Sequence, residues 1–124
     1  MSVGLESEKF SARERLKGRR DFEKVYRLGR RYTGEGIVLY VYRVASPEMR
    51  LGTTVSKKIG GAVVRNRIKR FFREWYRKNK GKMVEGIHLV LEARKELSEL
   101  SYQEGEAIFL RLLAEAKLLK SGIE

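Results

Sequence analysis

The chain contains no cysteine, one proline and one histidine among its 124 residues. Without cysteine it can have no disulfide scaffold, no thiolate zinc site and no cysteine nucleophile. No apolar run approaches the roughly 18 residues needed to cross a bilayer. The opening stretch MSVGLESEKFSARER carries no apolar block of the signal-peptide kind. Together these absences predict a soluble cytoplasmic protein with no membrane partner. Catalytic groups are scarce too. His88, the lone histidine, lies in a strand-like apolar run, where a structural role is expected. No set of His, Asp and Glu has metal-ligand spacing, and Glu92, Glu96 and Glu99 are expected to face solvent. The residues therefore predict neither a catalytic site nor a metal site on this chain.

Positive charge is abundant. The formal net charge is +12 and 35% of residues are charged, a balance that attracts polyanions, nucleic acid first. Its distribution says more than its sum. Residues 57–82 hold eleven basic side chains against Glu74 alone, and residues 1–31 hold ten against five. Residues 83–124 hold five basic against eight acidic side chains. The field thus has a main centre near 57–82 and a second near 13–31.

Hydrophobic residues make up 42% of the chain, enough for one core at this length. Residues 1–17 are polar and read as a partly disordered N-terminal segment; residues 18–120 read as a single domain. From Arg19, the spacing of Phe22, Val25 and Tyr26 predicts a short amphipathic helix ended by Gly29. IVLYVYRV (37–44) reads as a strand, SPEM (46–49) as a turn, and LGTTVS (51–56) as a hairpin partner of the first strand. A further short strand is expected near 55–59. Gly60 and Gly61 open a helix of about 18 residues. Gly86 precedes a strand, IHLVLEA (87–93). Ser101 and Glu104 form a capping box, and the last helix puts Phe109, Leu112, Leu113 and Ala116 on one face. The order is α-β-β-(β)-α-β-α, an α+β chain in a two-layer sandwich.

The stretch VVRNRIKRFFREWYR (63–77) combines an apolar stripe with dense positive charge. At about 100° per residue, Val64, Ile68, Phe71, Phe72 and Trp75 share one arc. Arg65, Lys69, Arg73 and Arg77 descend the adjoining surface in i+4 steps, with Arg67 and Arg70 beyond them. Charge runs usually mark a solvated face, but solvated helix faces mix signs in i,i+4 pairs. Here like charges crowd together and call for an anion. Arginine forks suit bidentate phosphate contact. Asn66 could bond a base edge or a 2′-OH, or simply cap its helix turn. Phe22, Tyr26 and Tyr40 could be core residues, the commoner fate of such rings, or platforms for stacked bases beside positive charge.

SKKIGGAVVRNRIKRFFRE (56–74) closely resembles the signature of the bacterial ribonuclease P protein component. That signature has a Ser-Lys-Lys-x-Gly opening, an Ala-Val-x-Arg-Asn-Arg helix start and a Lys-Arg-x-x-Arg-Glu continuation. RLKGRRDFEKVYRLG (15–29) resembles the family's first helix, RLGTTVSKK (50–58) the strand leading into the motif, and residues 86–95 the strand after it. The resemblance covers roughly residues 13–118. It implies a four-stranded sheet with an unusual left-handed βαβ crossover. It also implies a subunit of the ribonucleoprotein endonuclease that removes 5′ leaders from precursor tRNA, in which the RNA subunit is the catalyst.

The partners implied are the ribonuclease P RNA and the precursor tRNA 5′ leader, with Mg²⁺ as cofactor held mainly by the RNA and no protein oligomer required. Carried onto this sequence, the RNA-subunit contacts are Lys57, Lys58, Arg65, Asn66, Arg67, Lys69, Arg70 and Arg73. The leader contacts are Phe22, Tyr26 and Tyr40, lining a cleft between the first helix and the sheet; tyrosine stands at 26 where phenylalanine is more usual. A structural RNA-binding protein, such as a ribosomal protein, fits the size and charge equally well. The Arg-Asn-Arg block and the aromatic first helix favour ribonuclease P. A protein-only nuclease is disfavoured by the missing acid cluster.

Overall fold

The computed structural model describes residues 12–120. Its elements are α1 (Gly18–Leu28), β1 (Arg30–Thr33), β2 (Ile37–Arg43), β3 (Met49–Thr54), α2 (Ala62–Asn79), β4 (Ile87–Ala93) and α3 (Tyr102–Glu115). The four strands form one mixed sheet in the order β1-β2-β4-β3. β1 and β4 run antiparallel to β2, whereas β3 runs parallel to β4.

The hairpin expected between residues 37–44 and 51–56 does not form, because β4 inserts between β2 and β3. Composition explains the choice. Ile87, Leu89 and Leu91 on one face and Val90 on the other are all fully buried, so β4 has apolar residues to cover on both sides and takes a central position. β3 carries Gly52, Thr53 and Thr54 and suits an edge. β3, α2 and β4 then form the βαβ unit, with its two strands as parallel neighbours. The extra strand also lies elsewhere than expected. Lys57–Ile59 is a 3-10 turn, closed by Ile59 N–H donating to Ser56 O at 3.1 Å. The fourth strand is β1, whose sequence RRYT hides it: an edge strand needs only one inward side chain, here Tyr32.

Strand alternation gives the sheet two unlike faces. On one, Ile37, Leu39, Val41, Leu51, Leu89 and Leu91 meet Ile68, Phe72, Trp75 and Tyr76 of α2 and Phe109, Leu112 and Leu113 of α3. Trp75 stacks on Phe109 at 5.9 Å between centroids. Its ring fits because Gly105 of α3 has no side chain; a Cβ there would lie 2.6 Å from the indole. Among the described residues the indole N–H finds no acceptor, a cost of about 1–3 kcal/mol. Burying about 200 Å² of ring, worth roughly 5 kcal/mol, outweighs it. The capping box that starts α3 is present, with Glu104 N–H to Ser101 Oγ at 3.1 Å and Ser101 N–H to Glu104 Oε1 at 2.8 Å.

The opposite face carries α1, anchored by Val25 and Leu16 against Val90, so the sandwich gains a partial third layer. Gly29 follows α1, and its N–H bonds Val25 O at 2.9 Å. Of the N-terminal segment expected to be partly disordered, residues 1–11 lie outside the described residues. Residues 12–17 pack: Arg15 bridges Leu51 in parallel, Leu16 is buried, and Glu14 meets Lys80 Nζ at 2.8 Å. One leucine among polar neighbours offers no periodicity from which to read this.

Candidate nucleic-acid interface

The basic helix is oriented as its spacing predicts. Ile68, Phe72 and Trp75 are fully buried, with Tyr76 and Asn79 extending the stripe beyond the expected arc. Val64 and Phe71 are half-buried at its margin. Asn79 is buried at the helix end because its Nδ2 donates to Trp75 O at 2.8 Å and to Glu106 Oε2 at 3.0 Å. Asn66, Arg67 and Arg70 face solvent, and Arg65, Lys69 and Arg73 are half-buried beside the stripe. Val63 is 84% exposed in the same basic surface.

Charge pairing splits α2 into two halves. Toward its C-terminus, Arg77 pairs with Glu74, Lys78 with Glu106, and Lys80 just beyond with Glu14. Toward its N-terminus no acid of the described residues lies within pairing distance. Among the described residues, the side chains of Lys57, Lys58, Asn66, Lys69, Arg70 and Arg73 make no hydrogen bond or ion pair. The alternative of Asn66 as a helix cap therefore falls away. Arg65 and Arg67 are held by single bonds to backbone: Arg65 Nε donates to Gly60 O at 3.1 Å, and Arg67 Nη2 to Ser98 O at 3.0 Å. Arg67 also lies over the Phe71 ring, 5.8 Å from its centroid. A guanidinium has five N–H donors, so one bond fixes each fork and leaves the rest for an anion.

The three predicted aromatic residues come together on the other face. Phe22 and Tyr26, one helical turn apart on α1, face Tyr40 on β2. Tyr26 meets Tyr40 edge-on with centroids 4.8 Å apart, and Phe22 lies 6.4 Å from Tyr26. Tyr26 is 39% exposed, and Phe22 and Tyr40 are half-buried. Hydroxyls fix the two tyrosines: Tyr26 bonds Thr54 Oγ1 at 3.1 Å, and Tyr40 donates to Glu92 Oε1 at 3.2 Å. Burial first, and the Glu92 carboxylate second, push the Tyr40 phenol above its ordinary pKa, so it remains a donor. Gly52 lets the Phe22 ring lie on the sheet, since a Cβ there would come within 2.5 Å of it.

Several residues of this cleft were not apparent from the sequence. Glu92, expected to face solvent, lies in β4 on the cleft floor, half-buried and paired with Arg94 Nε at 3.0 Å. The period-2 alternation of IHLVLEA already sets His88, Val90 and Glu92 on one face; knowing which face needed the strand order. Glu96 and Glu99 are exposed as expected, and His88 bonds Glu48 at 3.1 Å. Arg31 stands beside Tyr40 in the sheet register. The two predicted surfaces also touch. Arg73 of α2 lines a notch of about 160 Å³ with Arg15, Leu16, Phe22 and Gly52 at the β3 edge. Among the described residues no group of His, Cys, Asp or Glu converges that could hold a metal ion. No helix among them is long and apolar enough to cross a membrane.

Comparison with known proteins agrees with this geometry. A family model described as Ribonuclease P matches residues 10–117. The ribonuclease P protein component of Natranaerobius thermophilus is 40% identical over 108 residues, 87% of this chain and 94% of that protein. That of Alkaliphilus metalliredigens is 38% identical over 105 residues, 85% and 95% of the two chains. Among solved structures, the Staphylococcus aureus RNase P protein superposes with a TM-score of 0.80 at 29% identity, covering 86% of this chain and 98% of that one. The Thermotoga maritima RNase P protein gives 0.76 at 36% identity, covering 83% and 97%. A match over nearly the whole described fold, a span that includes the basic helix and the aromatic cleft, shows that the chain belongs to the ribonuclease P protein family.

Proposed function

We propose that this chain is the protein subunit of a ribonuclease P ribonucleoprotein that removes the 5′ leader from precursor tRNA, with the RNA subunit as catalyst. One observation carries the division of labour. Lys57, Lys58, Lys69, Arg70 and Arg73, none with an acidic partner among the described residues, gather just before and along the N-terminal part of α2, while the accessible rings gather across the sheet between α1 and β2. The first surface suits the phosphates of a folded RNA. There Lys57, Lys58, Arg65, Asn66, Arg67, Lys69, Arg70 and Arg73 engage the RNA subunit, each phosphate contact adding about 0.9 to the salt slope of binding. The second suits an unpaired strand whose bases stack on rings. Phe22, Tyr26 and Tyr40 hold the leader there, and Arg73 joins the two surfaces at the notch. In this reading Mg²⁺ belongs to the RNA; the described acids do not converge to fit a protein-held ion, and no step is assigned to a metal on this chain. The assembly acts in the cytoplasm.

The test is reconstitution. Purified protein alone should leave precursor tRNA intact, and addition of the cognate RNA subunit with Mg²⁺ should release the leader. Cleavage by RNA-free protein, abolished by one side-chain substitution, would overturn the reading.

A further inference from the structure

The cleft floor holds a group that a polyanion does not call for. Glu92 stands on the sheet as the partner of the Tyr40 hydroxyl and the register neighbour of Thr54, which bonds Tyr26. Tyr40 donates to its Oε1 at 3.2 Å, and Arg94 Nε lies 3.0 Å from its Oε2. Its register neighbours are Val38 on β2, which is fully buried, and Thr54 on β3, whose hydroxyl holds Tyr26. The side chain keeps 23% of its surface. Arg94 balances its charge, and Arg31 stands beside Tyr40, so the site need not repel a passing strand. The carboxylate has about four lone-pair sites and the two bonds use two of them. The remaining acceptor capacity faces a donor or goes unmet when a base excludes water, and an unmet polar group in a closed site is costly. Phosphate offers no donor. A nucleobase edge does.

We propose that Glu92 selects the leader base stacked in this cleft, accepting a hydrogen bond from bases with an exocyclic amine and disfavouring uracil. The proposal rests on the reading of the cleft as the leader site. Cytosine and uracil are nearly equal in size and stacking, and differ on this edge at two positions: cytosine presents an N4 amine and a bare N3 acceptor where uracil presents the O4 carbonyl and an N3–H. That N3–H lies between O4 and O2, so a carboxylate that reaches it meets a carbonyl on either side. An amine donates to Glu92; O4 sets acceptor against acceptor. Tyr26 and Tyr40 supply the stacking that every base shares, and Glu92 supplies the discrimination.

The experiment uses assembled holoenzyme and precursor tRNA with a leader of uridines, into which one cytidine is placed at successive positions. The RNA subunit assayed without protein gives the preferences that belong to RNA alone. At one leader position, cytidine should bind about fivefold or more tighter than uridine with wild-type protein, the lower bound for a specific side-chain contact to a base. E92Q brings an amide N–H₂ that can donate to O4, so the difference should collapse or favour uridine. E92A should remove the difference without the gain for uridine. A merely structural role would weaken binding to every leader alike and leave the cytidine preference in place; that result overturns the proposal. So does a wild-type protein that shows no cytidine–uridine difference at any position. If instead affinity does not depend on leader length at all, the reading of the cleft itself fails.

Discussion

The two faces of the sheet use the same residue types for opposite ends. On the closed face, Phe72, Trp75, Tyr76 and Phe109 are fully buried between the strands and two helices. On the open face, Phe22, Tyr26 and Tyr40 are covered by one short helix and keep part of their rings accessible. What decides the fate of an aromatic residue is the number of helices over it, not its chemistry. α2 and α3 seal one face along its length. α1, at 11 residues, anchors through Val25, with Leu16 just before it, and leaves its flank open.

The strongest way to break this comparison is to remove a ring from the closed face. Trp75→Ala should destabilise the fold by about 3–5 kcal/mol, read as a fall in the denaturation midpoint at unchanged slope. Gly105→Val, which drives a side chain into the indole, should destabilise in the same direction. If Trp75→Ala unfolds no more easily than wild type, the closed face is not the core.

A ring removed from the open face should leave stability nearly intact and weaken substrate binding instead. Tyr26→Ala should cost about 1–3 kcal/mol in affinity for precursor tRNA with a leader several nucleotides long, the range for one stacked base. Mature tRNA, and precursor with a single leader nucleotide, should bind as before, and affinity for the RNA subunit should hold. Affinity measured against leader length, at fixed salt and Mg²⁺, separates the outcomes. An equal deficit at every length would make Tyr26 a packing residue like those of the closed face.

How much of this was legible in the sequence follows the same division. α2 was readable to its boundaries, because an apolar stripe of period 3.6 bordered by arginines fits one structure only. The strands with apolar alternation were readable as strands. Their order was not: pairing depends on which strand has residues to bury on both faces, and β4 displaced the expected hairpin. β1 escaped because one inward tyrosine suffices for an edge. Within the site, the arginine ridge could be named from residue type and spacing; the three rings came from the family resemblance, because type alone favoured a core role. Glu92, Arg31, Thr54 and Gly52 could not. They matter through cross-strand neighbours distant in sequence, and Glu92 looked solvent-facing until β2 and β3 were placed on either side of it.

The halves of α2 sharpen the contrast on a smaller scale. Arg70 is exposed and has no acidic partner among the described residues, whereas Lys78 is paired with Glu106. If the proposed interface holds, Arg70→Ala removes one phosphate contact, and the salt slope of RNA-subunit binding should fall by about 0.9, with the fold unchanged. Lys78→Ala should leave that slope alone. Arg65 and Arg67 are poorer probes, since their guanidiniums also bond Gly60 and Ser98. Equal slopes for Arg70→Ala and wild type would remove the ridge from the interface.

The smallest effect is expected from the smallest change on the open face. Tyr26→Phe keeps the ring against Tyr40 and deletes the hydroxyl that bonds Thr54 at 3.1 Å. That bond is exposed, and water can replace it on both partners, so stability should change by less than about 1 kcal/mol. Stacking resides in the ring face, which the substitution leaves in place. Affinity should therefore still rise with leader length as in wild type, while Tyr26→Ala loses that rise. The comparison of alanine with phenylalanine at position 26 isolates what the open face contributes. If Tyr26→Phe is as defective as Tyr26→Ala, the hydroxyl and its Thr54 partner read the leader, and stacking is not what holds it. If Tyr26→Phe matches wild type, the accessible ring is the binding element, set apart from the buried rings across the sheet only by its exposure.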